Sequence, residues 1–477
     1  MFHMLSVENF KSFSAKQSVK LAPITLIYGP NSSGKSSLIQ SLMLLKQSLT
    51  RPSEQGGLVS NGEYVDLGDY AAMAHNHSVD SEMKFSYSYS TLSNVFRHDW
   101  FAGSVSLPKG SKGQIATHEL TYMLSGKGKK SKNEEFTYLS NIKTSYGDDK
   151  NNAFELNLRS DLISRENAEK TQRLKHARGF HFTTAESRDS IFSFFSRMKG
   201  ISKDYHKEIV KGLNDVSFRS DLNYATPSSV TIKDKIESGF GAALMNNLVT
   251  IVAKEIQEAF NSITYLGPLR SHPSRFYAPK GDQSGSVGKQ GENTARFIYE
   301  KSPDITGKIN EWFSNFEIPY TLTAESIGSA VTGSVICLQL KDLRTDVVVG
   351  PSDVGFGIGQ LLPIIVEGIV RGESTICVEQ PEIHLHPRLQ AHLANFFIET
   401  SKTNQWIIET HSESLMLRMQ NKIRQKEIAP SDVSVIYVQP TKSGAQIIEI
   451  PMDDDGDFLV EWPEGFFEER FKETFGL

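Results

Sequence analysis

Two kinds of periodicity divide the chain. Through residues 1–30 apolar and polar positions alternate in the manner of two strands, and the run APITLIYGP ends a buried strand at a Gly-Pro turn. A helix is expected directly afterwards. In KSSLIQSLMLLKQSL the residues Leu38, Leu42, Leu45 and Leu49 recur at spacings of four, three and four, and Ile39 and Met43 widen the apolar face until the helix must be mostly buried. Residues 51–62 read as a loop. From about 82 to 160, runs such as MKFSYSYS, HELTYML and AFELNL alternate between Gly, Asn, Asp and Lys, the pattern of an antiparallel sheet. Between about 161 and 262 the pattern turns helical and charged, closing on IESGFGAALMNNLVTIVAKEIQEAF. Alternating β and α signals return from about 320 to 450. No heptad seam or internal repeat runs through the chain, which argues against a long coiled-coil arm.

Composition narrows the class. At 477 residues, 38% hydrophobic and 22% charged, the chain has ordinary globular composition and room for several domains. No run of about 18 uncharged apolar residues occurs, and MFHMLSVENFKSF lacks the basic-then-apolar order of a signal peptide, so a cytoplasmic protein without a membrane partner is expected. Two cysteines, Cys337 and Cys377, are too few for a disulfide framework or a Cys-rich zinc site. The formal net charge of −5 argues against a globally basic nucleic-acid coat but leaves room for a local basic groove, for which KGKKSK, KTQRLKHAR and LRMQNKIRQK are the candidates.

The chemistry starts at GPNSSGKS. It matches GxxxxGK[ST] between a predicted strand and a predicted helix, the context in which glycines let backbone N–H groups curl around a phosphate at a helix N-terminus. Gly29, Pro30, Asn31, Ser32, Ser33, Gly34, Lys35, Ser36 and Ser37 are assigned to ATP, with Lys35 reaching the β- and γ-phosphates and the Ser36 hydroxyl ligating Mg²⁺. Far downstream, TICVE is a short apolar strand ending in an acid, and Glu379 is taken as the acid on the Mg²⁺ side. The next residue is Gln380, whose neutral amide can orient a water but cannot accept its proton; Glu382 stands two residues on as a substitute. His384 and His386 invite a zinc reading, but no third ligand cluster accompanies them, and a contact loop fits better.

Taken in order, NFKSF, GPNSSGKSS, VDLGDY, YLGPLR, VGFGIGQLLP, VEQPEIHLHP and ETHSESL resemble the OLD-like and SMC-like ABC-type AAA ATPases that end in the domain of unknown function 3696. The resemblance covers both ends of the chain and leaves about 80–260 unmatched. It implies an α/β fold, an ABC-type P-loop NTPase with a mixed sheet, an antiparallel β subdomain and a helical insertion. The implied divisions are 1–80 (first ATPase half), 81–160 (β subdomain), 161–262 (insertion), 263–450 (second ATPase half) and 451–477 (tail). By the same resemblance Lys11 meets the nucleotide, though a solvated edge Lys11 beside a core Phe13 competes. His411 senses the γ-phosphate, and Ser352, Gly355, Gly357 and Gln360 form a signature segment for the nucleotide of a partner subunit, with a plain helix cap as the rival. In ABC-type enzymes a glutamate normally stands where this chain has Gln380, but the Glu-Gln-Pro order is common among these relatives.

The expectation is therefore a slowly hydrolysing ATPase with ATP and Mg²⁺ as cofactors, assembled head to tail as a homodimer or higher homo-oligomer. Relatives of this kind sit in anti-phage systems such as Septu, PARIS or retron cassettes, where the ATPase switches or scaffolds a separate nuclease or toxin. The alternative is a DNA-binding repair ATPase of the RecF type.

Overall fold

The structure, a computed structural model, describes residues 1–50, 57–91, 115–125, 136–148, 151–162, 178–182, 218–220, 231–232, 252–278, 285–329 and 333–463. Its strands are β1 (Phe2–Glu8), β2 (Gln17–Lys20), β3 (Ile24–Tyr28), β4 (Met83–Ser90), β5 (Ile115–Ser125), β6 (Phe136–Asp148), β7 (Asn151–Leu162), β8 (Arg178–Phe182), β9 (Phe218–Ser220), β10 (Thr231–Ile232), β11 (Ile263–Leu266), β12 (Tyr320–Ser329), β13 (Gly333–Asp342), β14 (Val348–Val349), β15 (Thr375–Glu379), β16 (Gln405–Glu409), β17 (Val433–Gln439) and β18 (Gln446–Glu449).

They form three sheets. A six-stranded sheet runs β11-β15-β16-β3-β17-β18, parallel except for β18, which turns back antiparallel on β17. A nine-stranded antiparallel sheet runs β10-β9-β8-β7-β6-β5-β4-β1-β2, and β12-β13-β14 make a small third sheet. The α/β class with a mixed sheet and an antiparallel subdomain is thus present. The antiparallel sheet recruits the N-terminus, because the first thirty residues hold three strands rather than two: left-handed backbone at Asn9 and Lys11 folds a tight turn between β1 and β2. Of the interval 161–262, expected to be helical, the described pieces are the end of β7, β8, β9 and β10 and a helix over 252–261; the rest of that expectation lies outside the described residues.

Period-two patterning decides what each face of the parallel sheet touches. Ile27, Cys377 and Ile407 face one core, while Leu26, Val378 and Ile408, their chain neighbours, face the other. The first core holds the helix Lys35–Thr50 and the inner face of the antiparallel sheet, including Phe85, Tyr87 and Leu120. Contact on both sides explains why that helix is buried nearly all round, with Ser41, Lys46, Gln47 and Ser48 enclosed beside its leucines. The second core packs the helices Asp304–Asn315, Phe356–Val370, Pro387–Thr400 and Glu413–Arg424 on the opposite face. The tail returns to the sheet, where Trp462 sits edge-on to Tyr28 at the end of the P-loop strand, with ring centroids 5.5 Å apart. No helix among the described residues is long and apolar enough to cross a membrane.

Candidate nucleotide site

Three parallel strands end at one edge of the sheet, and each delivers a piece of the site. The chain leaves β3 at Tyr28 and enters the loop Gly29–Lys35, where Gly29 (φ 145°) and Gly34 (φ 107°) adopt backbone that side chains rarely tolerate. A Cβ at Gly29 would come within 2.5 Å of the Val438 carbonyl oxygen, and one at Gly34 would collide with Ser12. Both glycines are therefore required by close approach as well as by dihedral angle. Asn31 and Ser32 are exposed, Pro30 is half-buried, and Ser33 and Ser37 are buried, Ser33 Oγ without a hydrogen-bond partner. Lys35 folds back into the loop and donates to the carbonyls of Gly29 (3.0 Å) and Pro30 (2.8 Å). Burial pushes its ammonium below the usual lysine range, against the pull of Glu409 and Glu382.

On the second strand, β15, Glu379 is held from two sides. The Tyr265 hydroxyl of β11 donates to Glu379 Oε1 at 2.9 Å, and Arg270 Nη2 donates to the Glu379 carbonyl at 2.7 Å. Burial, then the neighbouring Glu409, raise the Glu379 carboxyl to about 7. Gln380, at φ 46°, donates its backbone N–H to the Glu409 carbonyl at 2.7 Å.

The third strand, β16, lies between the other two. It ends on Glu409, paired in register with Glu379 on one side and with Ile27 of β3 on the other. Ser36 Oγ donates to Glu409 Oε1 at 3.1 Å, so in this structure the P-loop hydroxyl meets Glu409. Beyond β16, Glu382 organises the turn: Oε2 accepts from Thr410 Oγ1 (2.8 Å) and Oε1 from the His411 N–H (2.7 Å). His411 Nε2 is buried without a hydrogen-bond partner, and burial together with the charge of Lys35 pushes the imidazole below its usual range. Ser412 then caps the next helix by accepting from the Leu415 N–H at 3.1 Å.

The remaining predicted residues divide. Lys11 is half-buried and donates to Gln40 Oε1 of the P-loop helix at 2.7 Å; burial pushes its ammonium below the usual lysine range, against the pull of Glu379. Phe13 is a core residue. Ser352 and Gly355 are exposed at the turn before the helix Phe356–Val370. A Cβ at Gly357 would approach the His384 carbonyl to 2.8 Å, so Gly357 serves the contact with the loop after β15. Gln360 points inward, its amide accepting from the Arg270 N–H at 3.3 Å and donating to the Arg270 carbonyl at 3.2 Å. His386 Nδ1 accepts from the Arg388 N–H and caps the helix Pro387–Thr400.

Three residues of the site have no assigned role in the sequence reading: Tyr265, Arg270 and Glu409. A signal for Glu409 exists, since WIIE ends on an acid as TICVE does. Tyr265 and Arg270 bracket YLGPLR, where only the fold reveals that one end holds Glu379 and the other ties it to Gln360. Of the basic stretches, Lys127–Lys132 lies outside the described residues, as does Lys170–Arg178 except for Arg178, which opens β8. In the third, Lys422 pairs with Glu427 (2.7 Å) and Arg424 with Asp457 (3.0 Å), which neutralises part of its charge.

The AAA ATPase domain model matches residues 1–416. The chain belongs to the AAA ATPase domain family. A second model, a protein family of unknown function (DUF3696), matches residues 428–477, which include Trp462, the ring set edge-on to Tyr28. No curated protein matches the chain. Among solved structures, the SMC head domain from Thermotoga maritima has 12% identity and a TM-score of 0.34, over 95% of this chain and 99% of its own. The Smc head domain with an extended coiled coil from Pyrococcus furiosus, bound to the C-terminal domain of ScpA, has 11% identity and a TM-score of 0.40, over 100% and 98%.

The site fits the cofactors of an AAA-type ATPase. Lys35 engages only carbonyls of its own loop, while Ser33 Oγ, Glu409 Oε2 and His411 Nε2 are buried without hydrogen-bond partners; a triphosphate and its cation would complete them. Among the described residues no three His, Cys, Asp or Glu side chains converge into a metal cage.

Proposed function

We propose that this ATPase is a dimeric nucleotide switch with slow turnover, which controls a separate nuclease or toxin effector in anti-phage defence. Lys35 and the P-loop hold the phosphates, Ser36 and Glu379 face magnesium, and His411 reports the γ-phosphate. Ser352 and Gly355, exposed before the helix Phe356–Val370, address the nucleotide of a second subunit across a head-to-tail interface.

The observation that carries the slow-turnover reading is the engagement of Glu382. Both of its oxygens accept hydrogen bonds from the turn that bears His411, and the neighbouring residue is the neutral Gln380. A carboxylate tied up in this way is poorly placed to take a proton from water, and a positioned base is worth roughly 10²–10⁴ in rate. A long-lived ATP state suits a switch better than a motor.

The effector role is tested in cells that carry the gene with its neighbours. Lys35→Ala should lose nucleotide binding and protection against phage together. Full protection by a Lys35→Ala protein that binds no ATP would refute the switch.

A further inference from the structure

We infer that Glu409 is a second acid on the magnesium side of the site, sharing the ion and its bound waters with Ser36 and Glu379. The inference rests on the reading of this edge as a Mg-ATP pocket and adds a residue to it.

Position comes first. β16 is the strand between the P-loop strand and the strand of Glu379, and Glu409 is its last residue, in register with Ile27 and with Glu379. Adjacent strands lie about 4.8 Å apart, so Glu379 stands two strand spacings, about 10 Å, from the P-loop strand and Glu409 only one. Contact comes second. The hydroxyl assigned to magnesium, Ser36 Oγ, already donates to Glu409 Oε1 at 3.1 Å. Valence comes third. Glu409 is 3% exposed, and its Oε2 is buried without a hydrogen-bond partner. An anionic oxygen removed from water and left unpaired is costly, and buried polar atoms nearly always have a partner.

The other acids are differently engaged. Tyr265 donates to Glu379 Oε1, and both oxygens of Glu382 accept from the Thr410–His411 turn. Glu409 alone of the three faces the P-loop hydroxyl with a second oxygen left over. A divalent cation with its waters satisfies that oxygen and relieves the repulsion between two register-matched carboxylates.

The test titrates magnesium into the full chain with a fluorescent ATP analogue and reads the concentration that gives half-maximal binding. Glu409→Gln, nearly isosteric, should raise that concentration at least tenfold, whereas Glu399→Gln, at an exposed acid that pairs with Lys402 on the helix Pro387–Thr400, should leave it within twofold. A Glu409→Gln value within twofold of the wild type overturns the inference. Should Glu409→Gln fail to fold, Glu409→Asp keeps the charge and shortens the reach by one methylene; a shift of threefold or more supports the role, and a smaller one overturns it. If the wild type bound no analogue at all, with or without magnesium, the pocket reading itself would fail; tight wild-type binding with an indifferent Glu409→Gln fails the inference alone.

Discussion

The Tyr265 hydroxyl sits 2.9 Å from Glu379 Oε1 and donates to it across the gap between β11 and β15. That bond favours the ionised carboxylate, whereas burial and Glu409 oppose it and bring the group to about 7 from an ordinary 4.5. Magnesium needs the ionised form. Binding of Mg-ATP should therefore strengthen as pH rises through about 7, and Tyr265→Phe should move the midpoint upward. A binding profile from pH 5.5 to 8.5, with and without the substitution, checks both the position and the sign.

The same shift has a consequence for stability without nucleotide. A carboxyl whose folded pKa lies above its unfolded one binds a proton in the native state that the unfolded chain releases. Between about 4.5 and 7 this group's contribution falls as pH rises, and magnesium with ATP should reverse the trend. Thermal denaturation of the apo and Mg-ATP forms at several pH values reads the difference.

Gln380 and Glu382 make opposite predictions. Gln380→Glu supplies a carboxylate next to the site and should raise turnover by about 10²-fold. Glu382→Gln replaces an acceptor of two hydrogen bonds by an amide that presents a donor to one of them, the Thr410 hydroxyl or the His411 N–H. It should cost about 1–3 kcal/mol of stability. Steady-state phosphate release and chemical denaturation, measured on both variants, separate the two roles. A Glu382→Gln protein of normal stability with abolished turnover would make Glu382 the base.

Arg270 links the end of β15 to the helix Phe356–Val370. Its guanidinium donates to the carbonyls of Glu379 (2.7 Å) and Gln380 (3.3 Å), and its own backbone exchanges bonds with the Gln360 amide on the helix Phe356–Val370. Arg270→Lys loses the planar fork and should destabilise the fold by about 1–3 kcal/mol, while Gln360→Leu should cost a similar amount. Because the Gln360 amide holds the backbone from which the Arg270 guanidinium reaches its carbonyls, the double variant should lose less than the sum. A double-mutant cycle in urea decides it.

How much of this was readable beforehand follows from the range of each interaction. The P-loop is local: nine consecutive residues carry their own geometry, and GPNSSGKSS announces it. Glu379 and the exits of β15 and β16 were legible because an apolar run ending in an acid or a Thr-His pair is also local. Strand order is not local. Nothing in WIIETHS says that its strand is inserted between those of Gly29 and Glu379, so the meeting of Ser36 with Glu409 stayed hidden. For the same reason the partners of Arg270, about 90 and 110 residues away in the chain, are visible only in the fold. Gln360 illustrates the converse: its place in a signature-like segment pointed outward to a partner's nucleotide, yet its amide is bonded inward.

Lys35 and Glu379, drawn from opposite ends of the chain, should serve one Mg-ATP complex. Calorimetric titration of ATP into the full-length protein, with magnesium and with EDTA, tests it most directly. The wild type should bind with an affinity that magnesium increases, Lys35→Ala should lose binding in both conditions, and Glu379→Gln should lose only the magnesium-dependent increment. Equal ATP binding by the wild type and Lys35→Ala, or a magnesium effect untouched by Glu379→Gln, would contradict it.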